Sequence, residues 1–216
     1  MLTCLRVNLS ENCLLASLLW LTMAGYAVLS CAPAGLRTAT PSNAPPDISH
    51  QMATDTPAHR GISIGGHGYL DHEIVAAADG VVVLIIDGKR SGNHVRIHHG
   101  LDTNQRDIYT EHFHVHEQFV KEGDKVKRGQ TIGLIGETGT RLRLLNLHYH
   151  YVVLYREESS RKYIPLDPDD YWWGIDQYKA NREKGVESGL FVISCFDANV
   201  DYPKKPIRFT YPVKCK

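Results

Sequence analysis

Short runs of β-branched and aromatic residues, broken by glycines, dominate the middle of the chain. From residue 59 onward they include RGISIGG, EIVAAADGVVVLIIDG, GNHVRIHHG, DIYTEHFHV, QTIGLIG and LHYHYVVLY. Runs of this kind at roughly ten-residue spacing, without an amphipathic helix between them, are typical of β-strands. We therefore predict an all-β domain whose sheet folds onto itself as a β-sandwich or open barrel.

The N-terminal region has a different pattern. Residues 13–30, CLLASLLWLTMAGYAVLS, are almost wholly apolar, which predicts a signal peptide over residues 1–30. The segment runs into VLSC, residues 28–31, which resembles the lipobox of bacterial lipoproteins and would place a lipid on Cys31. The alternatives are an ordinary cleaved signal and an uncleaved anchor, since the apolar run is just long enough to span a bilayer.

Composition divides the remaining chain into three parts. Residues 31–57 are rich in Pro, Ala, Ser and Thr and predict a flexible tether. Residues 58–170 contain the strand pattern, and residues 171–216 form a C-terminal extension in which we expect a short helix and strands. Trp172 and Trp173, near the end of the domain, are expected to close over the sandwich core, and a sugar-stacking surface is the alternative.

Charge and cysteine content narrow the functional classes. Lys plus Arg and Asp plus Glu each number 24, so we expect no nucleic-acid partner. All 12 histidines lie between His50 and His150, which indicates where the chemistry is concentrated. Export and lipidation would leave Cys195 and Cys215, which predicts one disulfide in an oxidising compartment, with two free thiols as the alternative.

The stretch LHYHYVV, residues 147–153, places two histidines two positions apart in a predicted strand. Successive side chains of a strand alternate between its faces, so His148 and His150 share one face at a backbone spacing of roughly 7 Å. Such a pair suits a metal ion, or one metal ligand beside one proton-transfer group. Two polar positions on an amphipathic strand are the plainer interpretation.

Several segments occur in a characteristic order: HRGIS (59–63), AAADGVV (76–82), GNHVRIHHG (92–100), HFHV (112–115), GDKVKRGQTIG (123–133), ETGT (137–140) and LHYH (147–150). This series resembles the LytM/lysostaphin-type zinc metalloendopeptidases, which cut peptide cross-links in bacterial peptidoglycan. The resemblance implies the LytM fold (duplicated hybrid motif), a β-sandwich in which an antiparallel sheet lines an open groove.

The resemblance also implies a set of site residues. His59 and His150 match zinc ligands, whereas His114 and His148 match histidines that act on the zinc-bound water and the oxyanion. His112 stands where tyrosine is usual. No role is assigned to the remaining histidines of the strands and turns, His94, His98, His99 and His116.

One position departs from the family pattern. Ser63 stands where the family has a ligand aspartate, and a neutral hydroxyl is not a usual zinc donor. Zinc is therefore in doubt unless a neighbouring residue substitutes. The segment that follows Ser63 contains His67 and Asp71, which are the candidates for replacement, although a polar surface loop is the alternative interpretation.

Two functions follow from these observations. The first is an exported zinc metalloendopeptidase of the periplasm or cell envelope, anchored through Cys31 and acting on peptidoglycan peptides. The alternative is a degenerate domain that serves as a binding module or as the regulator of a wall amidase. A biotinyl or lipoyl carrier is disfavoured, because no modifiable lysine stands in a suitable hairpin.

Overall fold

The computed structural model describes residues 38–39, 41, 49–53, 61–65, 72–89, 92–136, 138–139, 148–186 and 190–216. The predicted signal peptide, Cys31, His59, His67 and Asp71 lie outside the described residues. No helix in the described part of the chain is long and apolar enough to cross a membrane.

Strands make up most of the ordered structure, as the sequence pattern predicts. In chain order they are β1 (Thr38–Ala39), β2 (Ser49–Ala53), β3 (Gly61–Gly65), β4 (Glu73–Val75), β5 (Gly80–Ile86), β6 (His94–Leu101), β7 (Asp107–Phe113), β8 (Val115–Gln118), β9 (Lys125–Val126), β10 (Thr131–Ile135), β11 (His148–Arg156), β12 (Tyr163–Leu166) and β13 (Phe191–Val192). A 3-10 turn, Pro168–Asp170, precedes helix α1 (Ile175–Glu183). The all-β prediction is confirmed.

Two open sheets form the body of the domain. The larger sheet has the order β2-β3-β11-β7-β6-β5-β9, and the smaller has the order β4-β10-β8. Strand β11 is central: β3 pairs with its first half, β12 with its second half, and β7 with its other edge, all antiparallel. The position of β11 explains why its residues meet those of several distant segments.

Alternation along β11 separates its two faces. Tyr149, Tyr151 and Val153 are completely buried in the main core. Val152 and Leu154 point to the opposite face, where they form a second apolar cluster with Tyr109. Fully burying one large apolar side chain contributes about 1.5–3 kcal/mol, so a one-residue slip of β11 would be strongly disfavoured.

The C-terminal segment belongs to the same core as the strands. Trp172 is completely buried and stacks on Tyr151 with ring centroids 5.9 Å apart, which confirms that it closes the core. Phe209 and Tyr211, further along, are also completely buried in the main core. A disulfide joins Cys195 and Cys215, as predicted from the cysteine count. The extension is therefore packed against the domain.

Two parts of the predicted tether form strands. Strand β2 pairs antiparallel with β3 at the edge of the larger sheet, and β1 pairs in parallel with β13. These two short segments have strand backbone, while the flexible tether over residues 31–57 stays a prediction. Their sequences have no strand period of their own, and the exposed edge of a neighbouring strand supplies the missing backbone partners.

Candidate functional site

Four residues lie side by side across four adjacent strands of the larger sheet: Ser63, His150, Phe113 and His94. Ser63 of β3 pairs with His150 of β11, His150 pairs with Phe113 of β7, and Phe113 pairs with His94 of β6. Directly opposed residues of antiparallel strands project from the same face. The Phe113 ring lies between the two imidazoles, with centroids 4.5 Å from His94 and 5.9 Å from His150.

Ser63 contacts the predicted zinc ligand directly. Its hydroxyl oxygen lies 3.3 Å from Nδ1 of His150, at the position where the family pattern places a carboxylate. Among the described residues, no group of three or more His, Cys, Asp or Glu side chains converges on a metal position. An imidazole is a good zinc donor and a hydroxyl is a poor one, so these two residues alone do not fit zinc.

The other predicted site residues stand as follows. His59, His67 and Asp71 lie outside the described residues, and of His148 the structure describes the backbone in β11, opposite Gly65. That His148 and His150 share a face stays a prediction from strand alternation. Their assignment to proton transfer and metal binding stays a prediction.

His114 adopts a backbone conformation that is uncommon for a residue with a side chain. It follows β7 directly, with a φ angle of 64°, in the left-handed region. Its Nδ1 lies 3.1 Å from the carbonyl oxygen of Thr138, which can only accept, so Nδ1 carries the hydrogen. In the neutral ring, Nε2 is then the nitrogen with a lone pair for a proton.

Thr138 is the centre of the contacts that hold His114. Its hydroxyl accepts a hydrogen bond from the main-chain N–H of Asn93 at 2.9 Å and donates one to the main-chain carbonyl of Val115 at 3.0 Å. Gly92 completes the arrangement, because a Cβ there would lie 2.2 Å from the Thr138 carbonyl oxygen and 2.8 Å from Nδ1 of His114. The loop before β6 and the loop after β10 thus set the position of this imidazole together.

An ion cluster that sequence analysis missed lies on the same sheet face. Glu111, 5% exposed, has one carboxylate oxygen 3.2 Å from Nδ1 of His94. Its other oxygen accepts from Nε and one terminal nitrogen of Arg96, at 3.2 and 2.8 Å. The Arg96 guanidinium lies 3.8 Å from the centroid of the Tyr163 ring. The two-residue spacing of His94 and Arg96 in a predicted strand could have placed both on one face, but it does not reveal their partner Glu111.

His112 points away from this face, into the core. Its Nδ1 lies 2.6 Å from the hydroxyl of Tyr149, and its Nε2 lies 3.0 Å from that of Thr110. The Thr110 hydroxyl also lies 2.8 Å from Nε2 of His99, whose Nδ1 lies 2.8 Å from the carbonyl oxygen of Asp79. These side chains form one continuous chain of hydrogen bonds through the domain.

The direction of every bond in this chain follows from its last acceptor. The Asp79 carbonyl can only accept, so His99 donates from Nδ1 and accepts the Thr110 hydroxyl hydrogen at Nε2. Thr110 then accepts from Nε2 of His112, and Nδ1 of His112 accepts from Tyr149. Burial lowers the pKa of His112 to about 3 and that of His99 to about 4, so both rings are neutral at neutral pH. The chain has a structural role.

Residues 57–162 match the family model described as peptidase family M23. Residues 57–162 therefore form a domain of peptidase family M23. This confirms the resemblance to the LytM/lysostaphin-type family, while the replacement of a ligand aspartate by Ser63 stays a prediction.

Among its relatives is the peptidoglycan DD-endopeptidase ShyC of Vibrio cholerae, 36% identical over 112 residues, or 52% of this chain and 24% of the relative. The DD-endopeptidase ShyA of the same species is 38% identical over 89 residues, 41% of this chain and 19% of the relative. The chain thus covers about a quarter or less of the length of these curated relatives.

Two solved structures are also similar. A zinc-containing peptidase from Vibrio cholerae matches with a TM-score of 0.41 and 20% identity, over 72% of this chain and 41% of that one. Lysostaphin from Staphylococcus simulans matches with a TM-score of 0.43 and 21% identity, over 57% of this chain and 48% of that one.

Proposed function

We propose that the M23 domain hydrolyses peptide cross-links of peptidoglycan. The observation that carries this proposal is the convergence on one sheet face of His150 and His94 with the neighbouring His114, whose tautomer is set by the Thr138 carbonyl. The family membership and the DD-endopeptidase relatives support the same reaction class. An extended peptide laid along this face would present its backbone to the half-buried His114 and His150, whereas His94 is buried and contacts Glu111.

His114 is the proton-transfer group that the geometry supports best. Its neutral ring keeps a lone pair on Nε2, which accepts a proton from the attacking water and returns it to the leaving amine. The hydrogen bond from Nδ1 to the Thr138 carbonyl is kept during this proton transfer. His148, which strand alternation predicts on the face of His150, is the second such group in this proposal.

Zinc, when bound, would supply a Lewis acid and an activated water, and His59 and His150 are the residues proposed to hold it. Ser63 does not fit as a third ligand. Asp71 or His67 would have to complete the set, and zinc binding is therefore the first property to test.

Ser63 also favours a second candidate function. A domain that keeps the groove but has lost the metal would bind peptidoglycan peptides without cutting them, or regulate a wall amidase. The contact between the Ser63 hydroxyl and Nδ1 of His150 supports this candidate, because the hydroxyl occupies a ring nitrogen of the proposed zinc ligand.

One experiment separates the two candidates. Zinc per chain and hydrolysis of cross-linked muropeptides are measured for the native chain and for Ser63→Asp, with the exposed Ser159→Asp as the matched control. The hydrolase proposal expects about one zinc per chain and measurable cleavage in the native protein. If zinc and cleavage are absent from the native chain and both emerge only in Ser63→Asp, the hydrolase proposal fails and the binding module stands.

We also propose that the protein is exported to the periplasm or cell envelope and lipid-anchored at Cys31. The apolar run at residues 13–30, the VLSC tetrapeptide and the Cys195–Cys215 disulfide support this location. Intact-mass analysis of the membrane fraction tests it: an added acylated glyceryl mass is expected on the native chain and not on Cys31→Ser. An unmodified native mass would contradict the anchor.

A further inference from the structure

A cleft of about 640 Å³ lies between the M23 domain and the C-terminal segment. One wall comes from residues 78–81, 98–100 and 125–128, and the other from residues 196, 202–204, 207 and 208. The second wall lies beyond residues 57–162, the extent of the family match. The cleft has the volume of ordinary small-molecule sites, and its lining is separate from Ser63, His114 and His150.

Positive charge dominates this cleft. Its lining includes one carboxylate, Asp79, and five cationic side chains, Lys125, Lys127, Arg128, Lys204 and Arg208. Since the whole chain has a formal net charge of zero, this is a strong local excess.

Two of the five cations already have carboxylate partners. Lys127 pairs with Asp79 at 2.8 Å, and Arg208 pairs with Asp176 at 2.7 Å. In the described part of the chain, no carboxylate lies within ion-pair distance of the cationic groups of Lys125, Arg128 or Lys204. Lys125 and Lys204 therefore line the cleft without a carboxylate partner among those residues, whereas Arg128 interacts electrostatically with Asp79 at more than ion-pair distance.

Arg128 is held in place rigidly. Its guanidinium donates to the carbonyl oxygens of Ala77 at 2.6 Å and Arg208 at 2.8 Å, and it lies 4.3 Å from the centroid of the Tyr202 ring. Carbonyl dipoles and an aromatic ring offset only part of the cost of desolvating a cation. A bound anion would offset the rest.

The same cleft also offers an apolar surface. Phe196 is 40% exposed and stacks on Tyr202 with centroids 6.0 Å apart. Gly129, with a φ angle of 75°, makes room for this ring, since a Cβ there would lie 2.1 Å from a Phe196 carbon. Pro203 and Ile207 extend the apolar wall.

We propose that this cleft binds an organic phosphate, a phosphate ester whose apolar part lies against Phe196 and Tyr202. A doubly charged group satisfies several converging cations better than a single carboxylate does. The cleft volume also exceeds what a lone inorganic ion needs, since one water occupies about 30 Å³ of liquid. This inference does not depend on zinc or on hydrolysis.

Phenyl phosphate is the probe, titrated calorimetrically into the full chain in a non-ionic detergent at low salt. We expect saturable binding of one equivalent. Lys204→Glu and Lys125→Glu should each weaken it at least tenfold, while Lys162→Glu, an exposed lysine outside the cleft, should leave it unchanged. Phenol, which lacks the phosphate, and inorganic phosphate, which lacks the ring, should each bind at least tenfold more weakly.

Two results would overturn the proposal. The first is the absence of saturable phenyl phosphate binding. The second is equal weakening by Lys162→Glu and Lys204→Glu, which would show non-specific attraction to the surface.

A second arm distinguishes the source of the phosphate ester. The titration is repeated in nanodiscs of phosphatidylcholine with and without phosphatidic acid, whose headgroup is a phosphate monoester. A fivefold or larger loss of phenyl phosphate affinity on the anionic discs would identify a lipid headgroup as a competing ligand, provided that Lys204→Glu shows no such difference. Equal affinity on both discs would assign the cleft to soluble phosphate esters.

Discussion

The two faces of the sheet formed by β7 and β11 use the same residue type in opposite ways. On the core face, both ring nitrogens of His112 are bonded to hydroxyl groups, and the ring is completely buried. The opposite face presents Ser63, His150, Phe113 and Glu111, and we call it the groove face after the groove that the resemblance implies. There His150 is only half-buried, with Nδ1 beside the Ser63 hydroxyl. A histidine's role in this domain is decided by which face its strand position selects.

The two faces also differ in how they handle charge. The core chain from Tyr149 to Asp79 is neutral throughout, because burial disfavours imidazolium. The groove face holds a carboxylate, Glu111, between His94 and Arg96. Substitutions on the core face should therefore affect stability, whereas the effects on the groove face should divide between activity and stability.

The largest effect is expected for His114 on the groove side. Under the proposed hydrolase function, His114→Ala should lower cross-link cleavage by about 100- to 10,000-fold, because it removes the proton-transfer group. Cleavage rates and urea unfolding of the same samples provide the measurement. His116→Ala, an exposed histidine two residues on, should retain full activity. Unchanged cleavage in His114→Ala would exclude the assigned role.

Glu111→Gln tests whether the groove face is purely functional. The change leaves the half-buried Arg96 cation without its carboxylate, which should cost about 3 kcal/mol of unfolding free energy. Chemical denaturation measures this loss, and the exposed Glu158→Gln serves as the control. A loss below about 0.5 kcal/mol, the range of ordinary surface changes, would show that the cluster is not structural.

Acid should destabilise the core face. The pKa of His112 is about 3 in the folded protein and close to 6.5 when unfolded, so only the unfolded state binds a proton between these values. The free energy of unfolding should therefore fall as the pH drops below 6.5. By pH 5 the loss from His112 alone is about 2 kcal/mol, at 1.4 kcal/mol for each pKa unit.

Urea unfolding at pH 7, 6 and 5 measures this slope. His112→Phe should be less stable at pH 7 but show a flatter dependence on pH, because it removes the titrating group. The exposed His116→Gln is the matched control. Identical slopes in the native protein and His112→Phe would contradict a neutral buried ring at position 112.

The smallest of these effects is expected for Tyr149→Phe. The change removes the hydroxyl that donates to Nδ1 of His112 and leaves a buried acceptor unpaired, at a cost of about 1–2 kcal/mol. Thermal and urea unfolding would both report it. Tyr163→Phe, which keeps its ring on Arg96, should change stability by less. Equal effects of the two substitutions would contradict the donor and acceptor roles assigned to Tyr149 and His112.

Sequence patterns captured the local parts of this site. Alternation along LHYHYVV placed His148 and His150 on one face, and the ordered motifs identified the family. The Thr138 carbonyl beside His114 and the Glu111 cluster were not foreseen, because each joins segments separated by 15 to 24 positions in the chain. A main-chain carbonyl also carries no sequence signal of its own.

The amino-acid sequence by itself determined the strand pattern, the predicted faces of β11 and the family, and it indicated Cys195 and Cys215 as the one candidate pair for a disulfide. Those properties depend on local periodicity, residue chemistry and counting. Only the tertiary structure decided that His112 is a neutral core residue and that residues 196–208 complete a basic cleft. Both depend on which distant segments pack together, and packing sets burial, charge and hydrogen-bond partners.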